Sequence, residues 1–174
     1  MKKQILNYLR LVLILGIISS FSGGSPKSTV DTYINARASL NHEAAYTILS
    51  SSDKSIKSLN EYLEEKSAYD VPRTKAITEN FSYKIVSVNE EGDKALAIVE
   101  LTYPDVDKIV GELVRSLPTK VLDEDLGEKE VLSIIKEKYK DKETYRTIQI
   151  DTIELVKEEQ GWRIFLDWES EEKN

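Results

Sequence analysis

The apolar residues of this chain change period once, and that change limits the folds open to it. From Ser28 to Tyr69 they recur at helical spacing. From Phe81 to Tyr103, and again from Tyr145 to Trp168, they alternate. Helices first, then strands joined as hairpins, is an α+β layout in which N-terminal helices pack on one face of a bent antiparallel sheet.

Three helices are expected in the first part. Ser28-Thr29-Val30-Asp31 matches a capping box, with Ser28 as cap and Asp31 at the third helical position. Val30, Tyr33, Ile34 and Ala38 then share a face. Asn41 restarts the helix as a cap, and Ala44, Ala45, Ile48 and Leu49 carry the second apolar face. Ser50-Ser51-Ser52-Asp53 reads as a polar turn. Ile56, Leu59, Tyr62 and Leu63 mark the third helix, and Val71-Pro72-Arg73 reads as its stop.

In the second part, Phe81, Tyr83 and Ile85 alternate, and Val86 and Val88 continue one step out of phase. A bulge near Ile85-Val86 accounts for the slip. After a turn at Glu90-Glu91-Gly92-Asp93, the return strand puts Ala95, Ala97, Val99, Leu101 and Tyr103 on one face. Leu96 and Ile98 fall on the other. A strand apolar on both sides calls for a cover on each. Pro104-Asp105 opens a helix through Ile109, Val110, Leu113, Val114 and Leu117, and Val131 to Tyr139 reads as another. The last hairpin turns at Glu158-Glu159-Gln160-Gly161 and puts Trp162, Ile164, Leu166 and Trp168 on one side, with Phe165 opposite.

The N-terminus reads as a targeting segment. Met1-Lys2-Lys3 is basic, residues 11–18 are apolar, and small residues follow at Ser19, Ser20, Ser22, Gly23 and Gly24. That order is a secretory signal, with cleavage favoured after Ser20-Phe21-Ser22. An uncleaved anchor is the alternative, although the apolar run is short against the ~20 residues of a spanning helix. The expected division is a leader at 1–22, a linker at 23–27, one domain at 28–168 and an acidic tail at 169–174.

The chain has no cysteine. Disulfides, thiolate metal sites, cysteine nucleophiles and lipid attachment at a cysteine are therefore excluded. The formal net charge is −7, and losing Lys2, Lys3 and Arg10 with the leader makes it −10. This balance argues against nucleic acid and acidic membranes as partners.

The spacing Val30-x-x-Tyr33-Ile34-x-Ala36, followed by Glu43-Ala44-Ala45-Tyr46-x-x-Leu49-Ser50, resembles the opening of nuclear-transport-factor-2-like domains, a superfamily of cystatin-like cones. Asp53-Lys54, Ser58-Leu59-x-x-Tyr62, Asp93-Lys94-Ala95-x-Ala97-x-Val99 and Gly161-Trp162-Arg163-Ile164 are similar to an exported bacterial subgroup of unknown function. The resemblance covers Ser28 to Tyr103 and Tyr145 to Trp168. It makes 105–141 a helical insertion between hairpins. It implies helices wrapped on a curved sheet around a cavity. Some such domains are isomerases or dehydratases, and many are binding or assembly modules. With an uncleaved leader, the domain would also resemble the periplasmic parts of type IV secretion proteins held in the inner membrane.

Chemistry is sparse. His42 is the single histidine, so no His-based triad or two-histidine metal set can be built. Asp123-Glu124-Asp125-x-Gly127-Glu128-x-Glu130 is acidic, but Glu128 stands where a calcium loop needs glycine. There is no glycine-rich phosphate loop. No metal or cofactor is expected, and no catalytic residue can be named. Cone chemistry would need a carboxylate in an apolar cavity near a hydroxyl donor. Asp151 and Asp167 are its remaining candidates, and each alternates away from its apolar neighbours.

The expected cavity wall comprises Tyr33, Tyr46, Tyr62, Tyr103 and Trp162. The expected self-association face comprises Leu96, Ile98 and Phe165, for which a twofold dimer is the simplest cover. Two functions follow. One is an exported non-enzymatic module that binds a protein or a small apolar ligand, or assembles in the envelope. The other is a small cone enzyme acting on an apolar molecule, which two solvent-exposed aspartates at 151 and 167 would rule out.

Overall fold

The computed structural model describes residues 24–68, 72–116, 133, 136–138, 140 and 144–171. The leader, the acidic stretch Asp123 to Glu130 and the last three residues of the tail lie outside them, as does most of the second helix expected in the insertion.

Five described helices precede the strands: α1 (Pro26–Ala38), α2 (His42–Thr47), α3 (Ser51–Ile56), α4 (Leu59–Ser67) and α5 (Pro72–Glu79). α1 starts ahead of its expected cap. Pro26 takes the first helical position and the Ser25 side chain accepts from the Ser28 amide, so the expected linker residues Pro26 and Lys27 are helical. Proline suits that position because its missing N–H would have no partner there. Asp31 is thereby released from the cap.

The expected third helix is two. Lys57 is extended (φ −124, ψ 122) and divides it. Ser50 caps α3, and Ser58 caps α4 in a reciprocal box with Glu61. The polar turn read at 50–53 is thus a helix start. The stop read at Val71-Pro72 is also a start, since Pro72 opens α5.

Four strands form one antiparallel open sheet in the order β1-β2-β3-β4, from β1 (Ser82–Glu91), β2 (Lys94–Pro104), β3 (Arg146–Glu158) and β4 (Gly161–Phe165). The register of β1 on β2 shifts between Ile85 and Ser87, leaving Val86 as the extra residue of a bulge. α6 (Val106–Ser116) follows β2, and α7 (Trp168–Glu171) closes the described chain. The last strand stops at Phe165, three residues short of its expected end. Asp167 then takes a left-handed turn (φ 53) into α7.

The inner face of the sheet carries Ala95, Ala97, Val99, Leu155 and Ile164, all buried. Val30, Tyr33 and Ile34 of α1, with Leu49, Tyr62 and Trp168, close over it. The small alanines of β2 leave room for this helix layer. Residues 48–50 also guard the β4 edge. The Ser50 amide donates to the Ile164 carbonyl (2.8 Å), and the Ile164 amide donates to the Ile48 carbonyl (3.1 Å).

β3 departs from expectation in one respect. Its pairing sets Asp151 opposite Val99 and Ile153 opposite Ala97, both inner-face positions. Ile148 and Ile150 therefore fall on the outer face with Ile98 and Leu96. Asp151 points to the same side as its apolar neighbours Ile153 and Leu155, not away from them.

Candidate functional site

The helices do not fill the inner face completely. A cleft of about 500 Å³ remains between α1, α4, α5 and the sheet, within the size range of small-molecule sites. Tyr33, Ile34, Arg37 and Ala38 of α1 form one wall, extended by Leu40 and His42. Tyr62, Glu65 and Lys66 of α4 form a second, and Thr74 and Thr78 of α5 a third. Phe81, Leu101, Asp151 and Ile153 form the floor. A smaller cavity of about 280 Å³ shares Tyr33, Arg37, Tyr62, Glu65 and Lys66 with it, and adds Lys57, Leu166 and Trp168.

Helical spacing makes this wall. Tyr33 and Arg37 lie four residues apart on α1, as do Tyr62 and Lys66 on α4, so each pair projects from one helix face. Tyr33 is 4% exposed and Tyr62 is 1% exposed. Burial pushes the Tyr62 hydroxyl up to about 12, with smaller effects from Tyr33, Arg37 and Glu65. Burial also raises Tyr33, against the pull of Arg37, whose guanidinium lies 5.8 Å from the Tyr33 ring centre. Both hydroxyls therefore stay protonated, as donors, at neutral pH.

Glu65 organises the mouth. It bonds Lys57 at 2.5 Å and Lys66 at 2.6 Å. The lysine hydrogen bonds hold its carboxyl down at about 2. Lys57 also lies 4.5 Å from the Trp168 ring centre, and Lys66 lies 5.5 Å from that of Tyr62. The aromatic row Tyr46, Tyr62 and Trp168, with ring centres 5.4 and 5.9 Å apart, is thus roofed by cations.

The expected cavity residues separate. Tyr33 and Tyr62 line the cleft. Tyr46 packs behind Tyr62 and donates its hydroxyl to the Lys57 carbonyl (2.9 Å). Tyr103 donates to Gln149 across the strands (2.8 Å) and is not among the cleft residues. Trp162 is buried against the far end of α1, beside a small depression with Ser28 and Ile48. His42 is half-buried in the cleft wall.

Two carboxylates were not foreseen. Asp53 is 1% exposed. One of its oxygens accepts from the Ser50 hydroxyl (2.6 Å) and the Leu166 amide (2.9 Å), and the other accepts from the Trp168 amide (3.3 Å). It pins α3 to the segment after β4. The Ser50-x-x-Asp53 spacing was the available signal, but besides holding the Ser50 hydroxyl of its own cap the carboxylate reaches 113 residues away. Asp31 accepts from the Tyr83 hydroxyl, which also accepts from Asn35 (2.9 Å), and this ties α1 to β1. Burial first, then Asp31, pushes Tyr83 up to about 12.

None of these carboxylates fits acid–base work. Asp53 is occupied by amides, Asp31 is exposed and held by Tyr83, and Glu65 is neutralised by two lysines. Asp151 and Asp167 are both exposed. Among the described residues no group of three or more metal-ligating side chains gathers, and no helix is long and apolar enough to cross a membrane.

On the outer face, Leu96 and Phe165 flank Glu154 in one row, and Ile98 follows along β2. The apolar surface is wider than expected. Val86, Leu96, Ile148 and Ile150 are 41 to 59% exposed.

Comparison with protein-family models, with curated proteins and with solved structures gave no match.

Proposed function

We propose that this protein is an exported, non-enzymatic binding module of the nuclear-transport-factor-2-like cone type, and that its ligand occupies the cleft over the inner sheet face. The cleft carries the proposal. It pairs an apolar floor of Phe81, Leu101 and Ile153 with hydroxyls from two buried tyrosines, the usual mixture of a ligand site. The helix layer over one face of the sheet is the arrangement a cone requires, and the N-terminal sequence supports export. The competing enzyme reading needs a desolvated carboxylate beside a hydroxyl. Its named candidates, Asp151 and Asp167, are solvated.

Native mass spectrometry of the protein purified from its own host tests this. The expected spectrum shows the polypeptide with one added small molecule. A spectrum of bare polypeptide would overturn the proposal.

The outer face favours a second, compatible activity, self-assembly. Leu96, Ile148 and Ile150 are exposed on a single sheet face, and Val86 is exposed at the β1 bulge. Isolated apolar side chains on a surface are ordinary, but a contiguous set marks an interface. A second copy is the simplest occupant. Lys84 pairs across from Glu100 on this face, so both signs are present and a twofold rotation can set one against the other.

A further inference from the structure

Resting on the reading of the cleft as a ligand site, we infer that the ligand is a small amphiphile with a single anionic oxyanion head, held by Arg37 and the Tyr33 and Tyr62 hydroxyls, and an apolar body laid along Leu101 and Ile153. Three observations carry this.

The first is local charge. The smaller cavity is lined by Arg37, Lys57 and Lys66 against one carboxylate, Glu65. That leaves a surplus of two positive charges in a chain whose formal net charge is −7. Lys57 and Lys66 are engaged by Glu65 and by aromatic faces. Arg37 touches only the Tyr33 side chain in this way and has no carboxylate partner among the described residues. An arginine held at a cavity mouth without an acid is suited to an oxyanion from outside, because its planar fork matches two oxygens.

The second is the Tyr62 hydroxyl. Its side chain is more than nine-tenths buried, yet among the described residues it makes no hydrogen bond to protein. Among the described residues no sealed polar side-chain atom is left without a partner, so this hydroxyl opens onto the cleft. Opening there as a donor with no protein acceptor, it is free to donate to a ligand, and an oxyanion lying between Arg37 and the two tyrosines can accept from it.

The third is the separation of the two cavities. Asp151 lines the larger cavity and not the smaller. It repels an anion from the sheet end and leaves the helix end for the head. The floor residues Leu101 and Ile153 take the apolar part. Placed this way, the ligand keeps its own charge away from Asp151 and off the apolar side chains of Leu101 and Ile153.

Sodium octanoate, octan-1-ol and sodium acetate separate head from body. Each is titrated into the full chain and into Arg37→Met, and amide shifts are followed by NMR. Octanoate should shift amides around Arg37, Tyr62 and Leu101, bind more tightly than octanol, and weaken with added salt. Arg37→Met should weaken octanoate about tenfold, the share of a charge-assisted hydrogen bond, and leave octanol unchanged. Arg37 is exposed, so the variant should keep its native spectrum elsewhere, and Arg37→Lys should restore part of the affinity. Equal binding of octanoate and octanol, with no effect of Arg37→Met, would overturn the anionic head while leaving the cleft as a ligand site. Acetate binding as tightly as octanoate would overturn the apolar body. Shifts confined to the outer sheet face, or none with any probe, would overturn both the inference and the cleft reading.

Discussion

Asp53 shows how a single side chain can hold two distant parts of this chain together. Its carboxylate is buried and gathers the Ser50 hydroxyl and the amides of Leu166 and Trp168. Asp53→Ala strands those donors in a dry site. The expected loss is about 2–4 kcal/mol, the range for orphaning buried partners of a charged group, read as a lower midpoint of chemical unfolding. A midpoint unchanged from wild type would show that the carboxylate is not the tie. Glu65 makes a pH-dependent contribution. Its folded-state value, about 2, lies below the ordinary 4.5. The stability it adds is therefore fully present above about 4.5 and is lost as the pH falls through about 2. NMR titration should give a midpoint near 2 for Glu65, and Lys57→Met should raise it. A midpoint near 4.5 in the wild type would contradict the bridge to Lys57 and Lys66.

At the level of elements, α4 matters most because it carries Tyr62, Glu65 and Lys66 together. Its start is fixed by the box in which the Ser58 amide and hydroxyl donate to Glu61 (2.8 and 2.6 Å). Ser58→Ala should cost about 1 kcal/mol, as cap removals do. The unfolding midpoint should fall with no change in denaturant slope, and an unaltered midpoint would count against the cap. The strands and their bulge were legible because period-2 alternation is a local signal and Val86 breaks it locally. The helix starts were harder. Val71-Pro72 reads as a stop from the residue before proline, while the same proline is well suited to begin α5. Ser50-x-x-Asp53 carries a cap pattern that its run of serines disguises as a turn. The direction of β3 was misread because Ile148 and Ile150 are apolar on the outer face. Only pairing with β2 shows that Asp151 faces the same side as Leu155.

For the whole molecule, the α+β order and the open antiparallel sheet followed from the change of period, and the cleft did not. Tyr33 and Tyr62 were visible as inward residues, but so were Tyr46 and Tyr103, and sequence spacing cannot tell a packed tyrosine from one at a cavity wall. Arg37 and Lys66 gave no signal at all, because a charge on an amphipathic helix reads as solvated until a second helix is set opposite. The outer face gives a further prediction at this scale. Sedimentation of the full chain should show a dimer that Ile150→Lys converts to monomer without unfolding it. A wild-type monomer at high concentration would remove the self-assembly reading and leave the cleft untouched.

The central claim is that the cleft holds a ligand, and its most direct measurement is native mass spectrometry of host-purified wild type beside Ala38→Trp. Ala38 ends α1 at the cleft wall, so a tryptophan there fills the space from a half-buried position without hollowing the core. An added small mass is expected on the wild type and none on the variant. The same added mass on both, or on neither, would contradict it.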